Sequence, residues 1–106
     1  MLKGDSIMSF ELGEIVVTRK LFDKMKADVD FRKEVYASLD KYKSGDWGDI
    51  SEKGKRQNRL NIKEGERGYY GTYNISERIW ITTKNDRSKT IIMLYEEERT
   101  MWRYCV

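Results

Sequence analysis

Three groups of residues have the types and spacing to do chemistry or recognition. The first is the run Gly45-Asp46-Trp47-Gly48-Asp49. Its two glycines let the backbone take positive φ and fold around the indole. Asp46 and Asp49 can accept backbone N–H bonds, as Asx turns and helix caps do. Either Trp47 is exposed to a partner between two acids, or it is buried and anchors the loop to a sheet with both acids as caps; the second use is the commoner one. The next group is Lys53, Lys55, Arg56, Arg59 and Lys63, with Glu52 as counterweight. On a helix, Arg56, Arg59 and Lys63 fall on one stripe at steps of three and four, a pattern that can track a phosphate backbone. The plain alternative is a solvated helix face. Last comes the turn Asp86-Arg87-Ser88, where Arg87 and the nearby Lys89 are anion contacts or simply turn chemistry with an exposed Arg. The binding candidates are therefore Trp47, Asp46, Asp49, Arg56, Arg59, Lys63 and Arg87. No catalytic residue, metal ligand or cofactor is assigned.

What the chain lacks narrows the chemistry. It contains no His and a single Cys, Cys105. A Ser-His-Asp triad, a Cys-His pair, a His-ligated metal and a thiolate zinc site are all excluded. An all-oxygen magnesium or calcium site needs no imidazole, but no EF-hand spacing is present. One Cys makes no internal disulfide, so nothing points to an oxidising compartment. Met1 to Phe10 carries only Lys3 and no apolar core of a signal peptide, and no apolar run reaches the roughly 18 residues of a membrane span. The expected location is cytoplasmic, with no membrane partner. The 21 basic and 18 acidic side chains leave a net charge of +3, which permits contact with nucleic acid without demanding it.

The elements that must position these residues are legible in outline. At 106 residues there is room for one core. Residues 1–10 read as a flexible start and 11–106 as a single α+β domain. Glu14 to Thr18 is a β-branched run, a first strand. Lys20 to Lys26 reads as a helical turn with Leu21, Phe22 and Met25 toward the core. Asp28 to Lys43 is the strongest helix, because Phe31, Val35, Leu39 and Tyr42 fall on one face. Asp28 or Asp30 caps its start, and Gly45 suits the position after its end. Ser51 caps a second helix over Glu52 to Lys63, weakened by Gly54 and ended by Gly65. The remainder reads as a three-stranded antiparallel meander over Gly68–Ile75, Ile79–Thr83 and Thr90–Tyr95. Trp102, Tyr104 and Val106 alternate, so the tail is a candidate edge strand or packs on the sheet.

Several of these pieces recur as a set: Lys43 to Asp49, then Asn58, Arg67 and Tyr73, then Ile79-Trp80-Ile81 leading to Asp86-Arg87-Ser88 and Thr90. The set resembles a family of small proteins encoded on plasmids, conjugative elements and prophages of bacteria, over most of Phe10 to Leu94. Members often carry a His just before the Gly-Asp-Trp loop and a Leu-Pro-Glu-Glu-like end after the last strand. This chain has Tyr42 near the first position and Tyr95-Glu96-Glu97-Glu98 at the second. The resemblance implies a mobile-element origin. It implies, as a setting, a non-enzymatic protein that binds a host protein or protein–nucleic-acid complex, of the anti-defence kind that includes anti-CRISPR and anti-restriction inhibitors. The order strand, two helices, meander also looks like the RelE-type toxin architecture. That alternative implies a ribosome-associated ribonuclease with Arg67, Arg87, Lys89 and a Tyr as its working groups.

Overall fold

A computed structural model of the chain describes residues 12–65 and 67–97. The expectations for the first ten residues and for a strand through Trp102, Tyr104 and Val106 lie outside the described residues. In chain order the elements are β1 (Glu14–Val17), α1 (Arg19–Ala27), α2 (Val29–Lys43), α3 (Glu52–Glu64), β2 (Tyr69–Tyr73), β3 (Ile79–Thr83) and β4 (Lys89–Leu94), closed by a 3-10 turn at Tyr95–Glu97.

Local chemistry explains the boundaries. Thr18 ends β1 and caps α1, its hydroxyl accepting from the Leu21 N–H at 3.3 Å. Asp28 ends α1 and caps α2 through the Phe31 N–H at 3.1 Å. Gly45 follows the end of α2 with φ 90°. Ser51 caps α3 through the Gly54 N–H at 3.0 Å, and Gly65 ends it at φ 74°. Each cap satisfies one of the orphan donors or acceptors that a helix end leaves.

The sheet order is β1-β4-β3-β2. β2, β3 and β4 form the expected antiparallel meander, with Gly71 opposite Ile81 and Ile81 opposite Ile92. Two expectations need correction. The sheet is mixed, because β1 joins it parallel to β4, pairing Ile15 with Thr90. A parallel pair needs a crossover, and here everything from α1 to β3 lies between the two strands. There are also three helices among the described residues, since Lys20–Lys26 belongs to a nine-residue helix. The Thr18 cap and the burial of Leu21 and Met25, one turn apart, carry it beyond a single turn. Phe22 points away from the core at 44% exposure, with the Lys26 ammonium 5.9 Å from its ring.

The main core lies between one sheet face and the α1–α2 pair. Leu21, Met25, Phe31, Val35, Leu39 and Tyr42 meet Tyr69, Tyr73, Ile79, Ile81, Ile92 and Leu94 there. Tyr42 brings its hydroxyl inside. It donates to the Tyr69 carbonyl at 3.0 Å and lies 2.7 Å from the Thr83 hydroxyl, which in turn meets Thr90 at 2.8 Å. Burial pushes the Tyr42 phenol well above its ordinary value.

Candidate functional site

α3 is seated by polar side chains together with Ile62, which is partly buried against the main core. Its buried residues are Asn58 and Asn61. The Asn58 amide donates to the Tyr70 carbonyl at 2.6 Å and accepts from the Tyr70 N–H at 3.3 Å. It thus pairs with β2 as a neighbouring strand would. One turn on, Asn61 donates to the Gly68 carbonyl at 2.9 Å and is steadied by Gln57 at 2.9 Å. Gly54 lets the helix approach closely on this face: a Cβ there would stand 2.9 Å from the Tyr70 hydroxyl, which would have to shift.

The far end of the helix is held by Arg87. This residue has φ 64°, and its guanidinium donates to the carbonyls of Asn61 at 3.2 Å, Arg67 at 2.7 Å and Asn85 at 3.1 Å. It also lies 5.1 Å from the centre of the Tyr69 ring. A cation at a helix C-terminus complements the helix dipole. The structure therefore gives Arg87 a fastening role, tying the β3–β4 turn to α3. Asp86 makes the turn, its carboxylate accepting from the Ser88 N–H at 2.9 Å; the Ser88 hydroxyl first, and then that N–H, hold the carboxyl below its ordinary range.

With Gly54, Asn58 and Asn61 against the sheet, the opposite side of α3 faces water. Arg56, Arg59 and Lys63 are all exposed on it, as is Leu60 between them. None of the three cations has a salt-bridge partner among the described residues; on this helix only Lys55 does, with Glu52 at 3.3 Å. Five basic residues stand against two acidic ones in Glu52–Glu64. That +3 equals the net charge of the whole chain, so the other residues balance at sixteen basic and sixteen acidic. The excess positive charge is a property of one helix.

The Gly45–Asp49 run does not join that face. Trp47 is 5% exposed and belongs to the main core. Its carbonyl accepts from the Thr72 N–H at 3.2 Å, and the Asp49 N–H donates back to the Thr72 carbonyl at 2.8 Å. Gly48 lies between at φ 72°, where a Cβ would come within 2.0 Å of the Thr72 oxygen. Asp46 accepts from the Gly48 N–H at 3.0 Å, and Asp49 from the Asn74 N–H at 2.9 Å. The Tyr73 hydroxyl donates to the Asp46 carbonyl at 2.7 Å. Burial, then the nearby Asp46 and Asp49 charges, pushes the Tyr73 phenol far up. Both carboxylates border an open pocket of about 330 Å³ with Ser38, Lys41 and Tyr73. Among the described residues no group of three or more His, Cys, Asp or Glu side chains could hold a metal ion.

The seven candidate residues are thus sorted into two jobs. Asp46, Trp47, Asp49 and Arg87 build the frame, and Arg56, Arg59 and Lys63 form the presented surface. Asn61 went unnoticed in the sequence, and Asn58 stood out there only as part of a resemblance. The available signal was a capped helix whose two buried positions, 58 and 61, are both asparagine, with Ile62 its one apolar residue packed against the main core. No helix of the described residues is long and apolar enough to cross a membrane. No protein-family model matches the chain, and neither a curated protein nor a solved structure matches it.

Proposed function

We propose that this chain is a non-enzymatic binding protein that docks through the outward face of α3 on a partner containing nucleic acid. One observation carries the reading: the entire net positive charge sits on one rigidly seated helix, with Arg56, Arg59 and Lys63 exposed and free of acidic partners among the described residues. A phosphate backbone rewards such a stripe, because each contact releases condensed counterions. The likeness to plasmid and prophage proteins supports placing that partner in the host, as a defence complex that an anti-CRISPR or anti-restriction protein would bind. The test is a salt titration of binding to RNA, to duplex DNA and to a guide-RNA–protein complex. Three phosphate contacts give a slope of log affinity against log salt of about −2 to −3. Reversing Arg56 and Arg59 to Glu should weaken binding and flatten the slope to about −1 while the melting curve is kept. Identical titrations for the two proteins would overturn the reading.

The RelE-like ribonuclease remains the second reading, supported by the element order of a strand, helices and an antiparallel meander. Fold alone is a weak warrant for activity. Of its working groups, Arg87 already donates to the backbone carbonyls of Asn61, Arg67, Lys84 and Asn85. Incubation with RNA, alone and with translating ribosomes, separates the two readings: cleavage favours the nuclease.

A further inference from the structure

Three stretches of chain meet at the Arg87 guanidinium. Besides the Asn61, Arg67 and Asn85 carbonyls it reaches the Lys84 carbonyl at 3.5 Å. The last turns of α3, the approach to β2 and the β3–β4 turn are therefore gathered round one side chain. Two more bonds close this corner. The Gly68 N–H donates to the Asn85 side chain at 2.8 Å, and the Asn61 amide donates to the Gly68 carbonyl at 2.9 Å. Residue 87 holds φ 64°, a conformation that glycine takes freely and other residues rarely adopt. Glycine could make none of the guanidinium bonds. An Arg kept in such backbone marks a corner whose shape is fixed by several partners at once.

The corner carries two cations that the frame does not use. Arg67 is exposed and Lys84 half-buried. Both lend backbone carbonyls to Arg87, but among the described residues neither side chain has an ion-pair or hydrogen-bond partner. Other cations of the sheet and of α1 are answered: Arg19 by Asp23, Lys20 by Glu96 and Lys24 by Glu77, while Lys89 stands opposite Glu14 in the parallel register. Asp86 lies in the same turn as Lys84, and its carboxylate is engaged by the Ser88 N–H. Among the described residues no exposed aromatic ring accompanies these cations. The large exposed apolar side chain beside them is Leu60; Tyr69 is buried and Tyr70 is stacked on Trp80 at 5.0 Å.

We propose that the contact surface turns this corner: Arg67 and Lys84 continue the track of Arg56, Arg59 and Lys63, and together they grip the phosphate backbone of a double helix without reading its sequence. The proposal rests on the reading of α3 given above and names the class of nucleic acid that face meets. Arg56 and Lys63 stand about 10 Å apart along the helix axis, and the corner carries charge past the helix end in a fixed frame. Proteins that grip single strands place aromatic side chains where the bases can stack. A double helix keeps its base faces stacked inside and presents phosphates outside, where contacts position a protein but carry no sequence information. Cations in a rigid array with no exposed ring match the second surface.

Salt titrations on a duplex DNA and a duplex RNA test this, with a scrambled duplex and a single strand of the same sequence as competitors. Five phosphate contacts give a slope of about −4 to −5 on a duplex. Arg67→Gln with Lys84→Gln should flatten it to about −3 and keep the melting curve, since neither side chain is tied into the fold. Reversing Arg56 and Arg59 should also leave about −3, in place of the −1 left by a track confined to α3. Lys33→Gln with Lys43→Gln removes as much charge from α2 and should leave the slope alone; an equal flattening there would reduce the effect to net charge and overturn the track. If the Arg67 and Lys84 variant titrates as the parent while the Arg56 and Arg59 variant falls to about −1, the track ends with the helix and only the extension is lost. If both titrate as the parent, the reading of α3 is lost with it. The scrambled duplex should compete equally and the single strand about tenfold more weakly, for want of a stacking ring. A single strand that competes as well as the duplex overturns the double helix as partner, and a scrambled duplex that fails to compete overturns recognition by backbone alone.

Discussion

The two edges of the sheet solve the same problem in different ways. At the β2 edge every outward-facing backbone group named above has a partner that is not a strand. Asn61 takes the Gly68 carbonyl, Asn58 takes both groups of Tyr70, the Gly45–Asp49 loop takes both groups of Thr72, and Asp49 takes the Asn74 N–H. At the β1 edge the Glu14 and Thr18 N–H groups turn inward, to Ser88 and Ile92 at 3.0 Å each. Ile15 and Val17 therefore turn theirs outward, where no partner stands among the described residues. Open edges invite pairing with other chains, and shortness is one remedy; β1 has four residues. The difference shows what the sealed edge is for. α3 offers the sheet no buried apolar residue. Holding it by amide-to-backbone bonds leaves its other side free to carry Arg56, Arg59 and Lys63 around the one exposed apolar residue Leu60, a stripe that can face phosphates.

The largest way to break the sealed edge is to remove the loop's anchor. Trp47→Ala should cost about 3–5 kcal/mol in denaturant unfolding, as buried aromatics do. Full stability with lost partner binding would make Trp47 a recognition residue. Asn58→Leu comes next. It leaves the Tyr70 N–H and carbonyl unpaired at about 1–3 kcal/mol each, or about 2–4 kcal/mol together once water reaches part of the edge. Hydrogen exchange should quicken at the Tyr70 amide and not at Ile81; equal protection in variant and parent would show that Asn58 does not seal the edge.

Alkali is a milder probe of the same side. The folded chain keeps the Tyr42 and Tyr73 phenols protonated past the pH where an unfolded chain releases them. Stability is therefore intact below about pH 10 and falls above it, because proton loss favours the unfolded state. Tyr73→Phe should make that fall shallower, read by denaturant midpoints on either side of pH 10. The smallest effect belongs to the other edge. Ile15→Thr changes a half-exposed side chain on an unsealed strand and should cost under about 0.5 kcal/mol; a cost above 2 kcal/mol would mean that β1 is covered as firmly as β2.

Much of the framework was legible from one end of the chain to the other. Phe31, Val35, Leu39 and Tyr42 mark α2 by their spacing, and all four are buried. Asp28, Ser51 and Gly65 mark helix ends, because caps are local chemistry between residues a few positions apart. The meander was legible for the same reason: alternation and turn residues are short-range signals. α1 shows in the sequence only as a helical turn, since its buried apolar stripe is Leu21 and Met25 alone and a nine-residue helix carries little periodicity.

The sequence by itself determined α2, α3 and the meander strands, that no imidazole chemistry exists here, and that the cations of residues 53–63 share a helix. Only the tertiary structure decided that β1 lies parallel beside β4, that Arg87 fastens a helix end, and that two asparagines hold α3 against β2. Those facts depend on partners far apart along the chain, Asn58 with Tyr70 and Arg87 with Asn61. Periodicity reports where an apolar side chain goes, because water is everywhere the same. A hydrogen-bonding side chain goes wherever the fold leaves a matching backbone group unpaired, and that is set by the arrangement of strands in space.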